Sequence, residues 1–280
     1  MKAVFVLTPA ESRRLIAKGV AQMPEVRQAL EKAYVVIVGG TTNGFIAQEI
    51  AGVDVPPQNF TAGTCARGVL CVTHAAERDS NIPVVLYKGE RVKKTIQEVF
   101  QDFHLETVII KGANAVDPNG NVGVITSGFD GGTVAATIGT MTSTGMKYIF
   151  AVGLEKLVTS VPEAVQWTGA KTMDYSMGAN FGMYCLSNGL VTTEIEALCI
   201  LTDVEAKHIA SGGIGGSEGA VVIAVKGTDA QVRKAIAIVE SVKGEPSVHA
   251  LKGRCDDCPY DICAFNGKKE EDLPDWLRTR

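Results

Sequence analysis

The sequence predicts an α/β fold with a mainly parallel sheet and helices on both faces, followed by a smaller α+β domain. Short β-branched runs, such as residues 34–38, alternate with segments of helical periodicity through the first half of the 280-residue chain. A continuous apolar run is typical of a strand that is covered on both faces. Strands that alternate with helices are typical of right-handed crossovers and a parallel sheet.

The individual elements follow from cap signals and apolar spacing. Thr8 and Glu11 form a capping box with Pro9 at the first helical position, so a strand over 2–7 should lead into two helices within 9–33. Another helix is expected to begin at Phe45. Further strands are predicted at 34–38, 83–87, 107–111, 122–125 and 148–152, and further helices at 92–103 and 133–146.

Three segments of different character divide the chain. Residues 1–188 are predicted to form an α/β ligand-binding domain, in which 160–190 is a connector rich in small residues. Residues 190–251 suit a small α+β domain, for which a ferredoxin-like layer is one arrangement. The elements predicted in that domain are strand 195–201, helix 204–211, strand 219–225, helix 229–242 and strand 247–251. Residues 252–280 form a polar, cysteine-containing tail.

The composition of the chain indicates which classes of binding partner to expect. The chain has 27 basic and 31 acidic residues and a net charge of −4, without the clustered basic excess of a nucleic-acid-binding protein. Its opening apolar stretch, 3–7, is too short for a signal peptide or a membrane span, so no membrane partner is expected. We therefore expect a cytoplasmic protein that recognises a small molecule, and association into a homo-oligomer stays open.

Three glycine-rich loops are candidate anion-binding sites, at residues 39–44, 128–133 and 212–217. In an open parallel sheet, ligands bind beyond the carboxyl ends of the strands, where the N–H groups at helix starts favour anions. The alternative is that these glycines only form tight turns. The first two loops belong to the same predicted sheet. They supply the candidate ligand-binding residues Gly39, Gly40, Thr41, Thr42, Asn43, Asp130, Gly131, Gly132 and Thr133.

Three further polar residues follow predicted strands. Lys111 ends a predicted buried strand, where an unpaired ammonium would be costly, so it should reach the crevice, a carboxylate or solvent. Asn114 lies in the next turn, and its amide can both donate and accept hydrogen bonds. We expect Asn114 to be the central polar residue of the site. Lys156, beside Glu155, is a candidate for the same crevice.

These residues lie in a pattern that resembles the lactate-utilisation (LUD) domain. The matching features are the run IIKGANAVD at 109–117, Gly120, the helix start at Gly131, and the strand 149–152 that leads to Lys156. The wider superfamily includes ribose-5-phosphate isomerase, glucosamine-6-phosphate deaminase and the CoA transferases. Residues 40–43 also resemble the phosphate loop of the ribose-phosphate isomerases. The resemblance, which covers residues 30–160, implies an α/β fold and an anion cradle.

The catalytic residues of those families are not matched. Ribose-phosphate isomerases have an aspartate-rich turn where this chain has Lys111, Asn114 and Ala115. Their later lysine and glutamate, and the glutamate nucleophile of the CoA transferases, have no counterpart that we can place. Asparagine cannot act as a general base in place of a carboxylate. The expected function is binding of a phosphorylated or carboxylated metabolite, by a transferase- or isomerase-like enzyme without the usual base or by a protein that is not an enzyme.

A second functional signal lies in the tail. Cys255, Cys258 and Cys263 form a C-x2-C-x4-C pattern, and thiolates two residues apart can hold zinc or an iron–sulfur cluster. The fourth ligand could be His249, an aspartate of the run, or the distant Cys65 or Cys71. Free or redox-active thiols and simple packing are the alternatives. The second functional hypothesis is therefore a metal- or redox-responsive accessory protein.

Overall fold

The protein is described by a computed structural model that covers residues 1–249 and 251–278. Its strands are β1 (Lys2–Leu7), β2 (Tyr34–Ile37), β3 (Gly63–Ala66), β4 (Val69–Val72), β5 (Val84–Tyr87), β6 (Glu90–Val92), β7 (Val108–Gly112), β8 (Ala115–Val116), β9 (Val122–Thr126), β10 (Lys147–Ala151), β11 (Gly182–Leu186), β12 (Leu190–Thr192), β13 (Glu205–Gly212) and β14 (Ala220–Lys226). Its α-helices are α1 (Pro9–Gln22), α2 (Pro24–Lys32), α3 (Thr41–Ala51), α4 (Ile96–Gln101), α5 (Gly132–Thr144), α6 (Val161–Val165), α7 (Glu194–Thr202) and α8 (Asp229–Val242).

The centre of the molecule is a six-stranded sheet in the order β12-β10-β7-β2-β5-β6. The first four strands run parallel, whereas β5 and β6 are antiparallel to their neighbours. Side chains of α1, α2 and α3 pack on one face, and side chains of α4 and α5 pack on the other. The predicted α/β class is thus confirmed in its coarse form, as a mixed sheet with helices.

Local signals account for the first elements. The Thr8 hydroxyl accepts a hydrogen bond from the Glu11 amide, and the Glu11 carboxylate accepts one from the Thr8 amide, as the capping box predicted. Pro24 starts a second helix, because proline fits the first turn but not the interior. All four residues of β2 are buried between β7 and β5, which explains the continuous β-branched run.

A second layer is a three-stranded antiparallel sheet in the order β1-β14-β13. The first strand of the chain, β1, pairs with β14 along its whole length, from Lys2 opposite Lys226 to Leu7 opposite Val221. One core is shared by α1, α7, α8 and this sheet. The beginning of the chain therefore belongs to the layer that is built mainly from residues beyond 190.

Two elements predicted for this layer are wrong. The strand expected at 195–201 is the helix α7, which starts at a capping box formed by Thr193 and Glu196. The helix expected at 204–211 is the strand β13. Apolar runs this short suit either a buried helix or a strand, and the tertiary packing decides between them. The strand at 219–225 and the helix at 229–242 are confirmed as β14 and α8.

The last predicted strand, 247–251, is also not formed in its described part. Residues 247–249 and 251 have no regular structure, and residue 250 lies outside the described residues. The order in this part of the chain is therefore helix, strand, strand, helix, in place of the predicted strand–helix alternation. None of the described helices is both long and apolar enough to cross a membrane.

Two smaller sheets lie beside these layers. The predicted strand 122–125 is β9, but it pairs antiparallel with β8 and β11 and lies outside the central sheet. The predicted connector contributes α6, β11 and β12. The hairpin β3-β4 supports the tail, because Val69 shares a core with Phe265, Leu273 and Leu277. The tail is thus packed against the fold, although its described residues form only one 3-10 turn, Glu270–Asp272.

Close packing of α1 against α7 can be tested at Gly19. A Cβ atom on Gly19 would lie 2.6 Å from the Ala197 Cβ and 2.7 Å from its Cα, so backbone would have to move. We expect Gly19→Ala to destabilise the protein by about 1–3 kcal/mol. Gly139→Ala, in α5, is the matched control because nothing lies within 4 Å of its Cβ position. That variant should be neutral or stabilising by up to about 1 kcal/mol in urea unfolding. Equal effects of the two variants would contradict the close packing.

Candidate functional site

A polar cavity of about 110 Å³ lies beyond the carboxyl end of β2. Thr41, the first residue of α3, is on its wall, because α3 follows β2 after a short glycine turn. Its lining residues are Arg13, Thr41, Gln58, Thr61, Cys65, Val248, His249 and Leu251. We call this space the polar cavity. It combines the start of a helix with a cationic side chain from α1 and residues from two distant loops.

Among the residues that line the cavity, Arg13 forms an ion pair. Its Nη2 donates to the Glu155 Oε1 at 3.3 Å, and both side chains are largely buried, at 18% and 12% exposure. The Arg13 Nε and the Glu155 Oε2 are fully buried, and neither has a hydrogen-bond partner among the described residues. The ion pair therefore leaves one donor and one acceptor unused next to the polar cavity.

A second pair of titratable groups lies behind Arg13. The Lys156 Nζ donates to the Ala113 carbonyl at 3.0 Å. Burial lowers the pKa of Lys156, although the carboxylates of Glu155 and Glu194 oppose this shift. Burial, assisted by the negative charge of Glu155, raises the pKa of Glu194 to about 7. The low-dielectric surroundings thus disfavour the charged forms of both Lys156 and Glu194.

The predicted loop 39–44 is mostly the first turn of α3. That helix begins at Thr41, four residues earlier than expected. The Gly40 amide donates to the Phe60 carbonyl at 2.6 Å, so one amide of the turn is already used. Thr42 and Asn43 are buried, and Gly39 and Gly40 are half-buried. Of the predicted residues in this loop, Thr41 is the one that lines the polar cavity.

Asn43 joins two strands of the central sheet. Its side-chain amide donates to the Val38 carbonyl at 2.7 Å and to the Ile110 carbonyl at 3.1 Å. These bonds tie the end of β2 to the end of β7. The Asn43 Oδ1 is buried and has no hydrogen-bond partner among the described residues. Asn43 therefore supports the site by holding the strand ends in place.

The other predicted residues do not line the polar cavity. The Lys111 ammonium forms no hydrogen bond or ion pair among the described residues, and burial lowers its pKa to about 8. Asn114 is exposed and lies between β7 and β8, where its Oδ1 accepts from the Ile125 amide of β9 at 3.0 Å. Asp130 accepts from the Gly132 amide at the start of α5, and Gly131 has a φ of +70°. Thr133 lies in the first turn of that helix.

No sequence pattern predicts several of the residues around the polar cavity. Arg13 and Arg14 are adjacent on α1, and nothing in the local pattern distinguishes the one that reaches the cavity. Thr61 and Cys65 come from a loop and a strand that were not predicted to be near the first helix. Glu194 could have been found from the Thr193–Glu196 capping box, which marks a helix start.

A second and larger cavity, of about 220 Å³, lies between the hairpin β3-β4 and the tail. Four cysteines line it: Cys71, Cys255, Cys258 and Cys263. We call it the thiol cavity. Of the fourth ligands considered from the sequence, Cys71 and Asp257 are on its wall, whereas Cys65 and His249 line the polar cavity. In the described part of the chain, no group of three histidine, cysteine or acidic side chains is arranged to hold a single metal ion.

Comparison of the chain with protein-family models, curated proteins and solved structures gave no match in any of the three. Function must therefore be inferred from the two cavities. The polar cavity brings a guanidinium and a helix start together, and the thiol cavity brings four thiols together in largely apolar surroundings. These two chemistries suit different ligands.

The raised pKa of Glu194 makes stability depend on pH. Because its folded-state pKa of about 7 exceeds the ordinary glutamate value of 4.5, the folded state binds more protons between these pH values. Stability should therefore fall as pH rises through this window. Glu194→Gln removes the titrating carboxyl group and with it this loss of stability. The free energy of unfolding of the variant, relative to that of the wild type, should therefore rise between pH 5 and pH 8. The upper limit of that rise is roughly 3 kcal/mol.

Urea unfolding at the two pH values measures this change. Glu205→Gln is the control, since it removes the same charge from an exposed position on β13. The Glu205 variant should show no comparable change with pH. A Glu194 variant whose stability difference from the wild type is the same at pH 5 and pH 8 would contradict the raised pKa.

Proposed function

We propose that this protein binds a small anionic metabolite, with a phosphate or carboxylate group in the polar cavity. The observation that carries the proposal is Arg13, whose guanidinium lines the cavity and, among the described residues, uses only Nη2 on a carboxylate, that of Glu155. A guanidinium has five N–H donors. A ligand oxygen in the cavity could accept from an N–H that Glu155 does not use, and an anionic oxygen would do so most strongly.

The start of α3 supports the same class of ligand. The first N–H groups of a helix have no partner within the helix, and they carry partial positive charge. The Gly40 position at this helix start has no side-chain cap, and Thr41 lines the polar cavity. An anion near Thr41 would therefore face both the helix start and the Arg13 guanidinium.

Binding of an anion would be coupled to the ionisation of buried groups near Arg13. Glu155 already pairs with Arg13, while burial works against the ammonium of Lys156 and the carboxylate of Glu194. A negative ligand close to this group would stabilise the charged form of Lys156. It would at the same time favour the protonated form of Glu194. The binding of an anion is therefore coupled to the protonation of both residues.

The size of the cavity restricts the part of the ligand that enters. A volume of 110 Å³ corresponds to about four water molecules at the roughly 30 Å³ that each occupies in the liquid. A phosphate or carboxylate group with a few further atoms fits this space. We therefore propose a small metabolite, or a larger one that inserts only its anionic end. The transferase- or isomerase-like activity implied by the resemblance stays a prediction.

Substitution of Arg13 tests the proposal with inorganic phosphate and acetate as probes. Arg13→Gln removes the cationic donor, so the affinity for the probe should fall about tenfold to a hundredfold, the equivalent of 1.5–3 kcal/mol for a hydrogen bond to a charged group. Isothermal titration calorimetry measures the affinities. Urea unfolding of each variant checks that it is folded.

Arg14→Gln is the matched control. Arg14 is the next residue of α1 and has 17% exposure, against 18% for Arg13, but it pairs with Glu245 at 2.9 Å and does not line the cavity. The affinity of the Arg14→Gln variant for phosphate and acetate should stay within about twofold of the wild-type affinity. Equal loss in the two variants, or a folded wild type that binds neither probe, would refute the proposal.

The affinity for sulfate should fall as pH rises from 6 to 8. Sulfate keeps its charge over this range, so the change reports the protein. Glu194, with a pKa of about 7, gains a negative charge as pH rises. The added negative charge opposes the binding of an anion. Glu194→Gln should reduce this fall in calorimetric titrations, and a wild-type affinity that is constant with pH would contradict the coupling.

A further inference from the structure

The four cysteines of the thiol cavity come from two distant parts of the chain. Cys71 is on β4, and Cys255, Cys258 and Cys263 are on the tail. The tail reaches β4 because Phe265, Leu273 and Leu277 form a core with Val69. All four line the same cavity, together with Val69 and Phe265. They are free thiols and form no disulfide.

From this arrangement we propose that Cys71, Cys255, Cys258 and Cys263 bind an iron–sulfur cluster in the thiol cavity. Four cysteine thiolates are the usual protein ligands of both two-iron and four-iron clusters. The proposal is independent of the polar cavity, which has a different lining. In this proposal Cys71 is the fourth ligand, which the three-cysteine pattern of the tail does not supply.

The dimensions of the cavity favour a cluster over a single ion. Four thiolates around one zinc ion, with Zn–S bonds of about 2.3 Å, place their sulfurs within about 4 Å of one another and close the site. Here four thiols line a space of about 220 Å³. A group of several iron and sulfide atoms fills more of such a space than one zinc ion does.

Charge and hydrogen bonding in the cavity also suit a cluster. Four thiolates on an iron–sulfur core carry net negative charge. The Lys252 side chain is only 2% exposed, and its ammonium lies 4.0 Å from the Cys255 Sγ, while it also pairs with Glu270 at 3.0 Å. The Gly253 amide donates to the Cys71 Sγ at 3.1 Å. Hydrogen bonds to sulfur are a known means of tuning such clusters.

Apolar packing protects the same space. Cys263 is 9% exposed and belongs to the core that includes Val69 and Phe265, while Cys71 and Cys255 pack against that core. Iron binds cysteine as the thiolate, so the thiols would release their protons when the cluster forms.

The experiment uses the full-length chain purified without oxygen. It is then incubated with ferric iron, sulfide and dithiothreitol, and desalted. Iron and acid-labile sulfide per chain are measured, together with the visible absorption of sulfur-to-iron charge transfer and the electron paramagnetic resonance signal after reduction with dithionite. We expect equal amounts of iron and sulfide, either two or four of each per chain, as the two cluster types with four cysteine ligands require.

Variants then identify the ligands. Cys71→Ser and Cys258→Ser should each retain less than about a fifth of the wild-type iron, since loss of a ligand weakens a metal site strongly. Cys185→Ser is the matched control, because Cys185 is an exposed cysteine on β11 that does not line the thiol cavity. It should retain the full cluster. Circular dichroism and urea unfolding of the iron-free variants separate loss of a ligand from loss of the fold.

Three outcomes would overturn the proposal. The first is a folded wild type that takes up no iron with sulfide. The second is a wild type that binds one zinc ion per chain and forms no cluster chromophore when both metals are offered with sulfide. The third is a Cys71→Ser variant that keeps the full iron and sulfide content, which would show that Cys71 is not a ligand. None of these results bears on anion binding, which depends on Arg13.

Discussion

The position of α1 between two sheets is the constraint on which the rest of the structure depends. Ile16 and Val20 pack with the central sheet, whereas Leu15 belongs to the core of the antiparallel layer. Gly19 lets the helix approach Ala197 of α7 at backbone distance. Because both cores share this helix, α1 fixes the two layers relative to each other. It also carries Arg13 to the junction where the central strands end.

The charged groups at that junction are only partly paired. Burial penalises the charges of Lys156 and Glu194, and two buried polar atoms of the Arg13–Glu155 pair have no partner among the described residues. Such a group is weak evidence for a stabilising role, because desolvation offsets much of the attraction between buried charges. An incompletely paired cluster next to a cavity is instead the arrangement that a charged ligand can complete.

The tail shows how a weakly patterned segment acquires a defined place. Its described residues contain one 3-10 turn, yet Phe265, Leu273 and Leu277 are almost fully buried against Val69. These apolar contacts, rather than backbone pairing of long strands, hold the tail on the hairpin β3-β4. They also bring the tail cysteines to Cys71, which no spacing rule in the sequence connects to them. The thiol cavity is therefore formed by the packing of the tail against the hairpin.

The sequence by itself determined the features that depend on neighbouring residues. The Thr8 capping box, the buried run of β2, the helix α8 and the coarse α/β class were all predicted, because caps and hydrophobic periodicity act over a few residues. The three clustered cysteines of the tail were also evident.

Only the tertiary structure decided which distant segments meet. It paired β1 with β14, exchanged the predicted helix and strand at α7 and β13, and placed Asn114 in a turn away from the polar cavity. It also selected Arg13 over Arg14 and brought Cys71 to the tail. The physical reason is that these outcomes depend on burial shared between residues far apart in the chain. Local propensity carries no information about that burial.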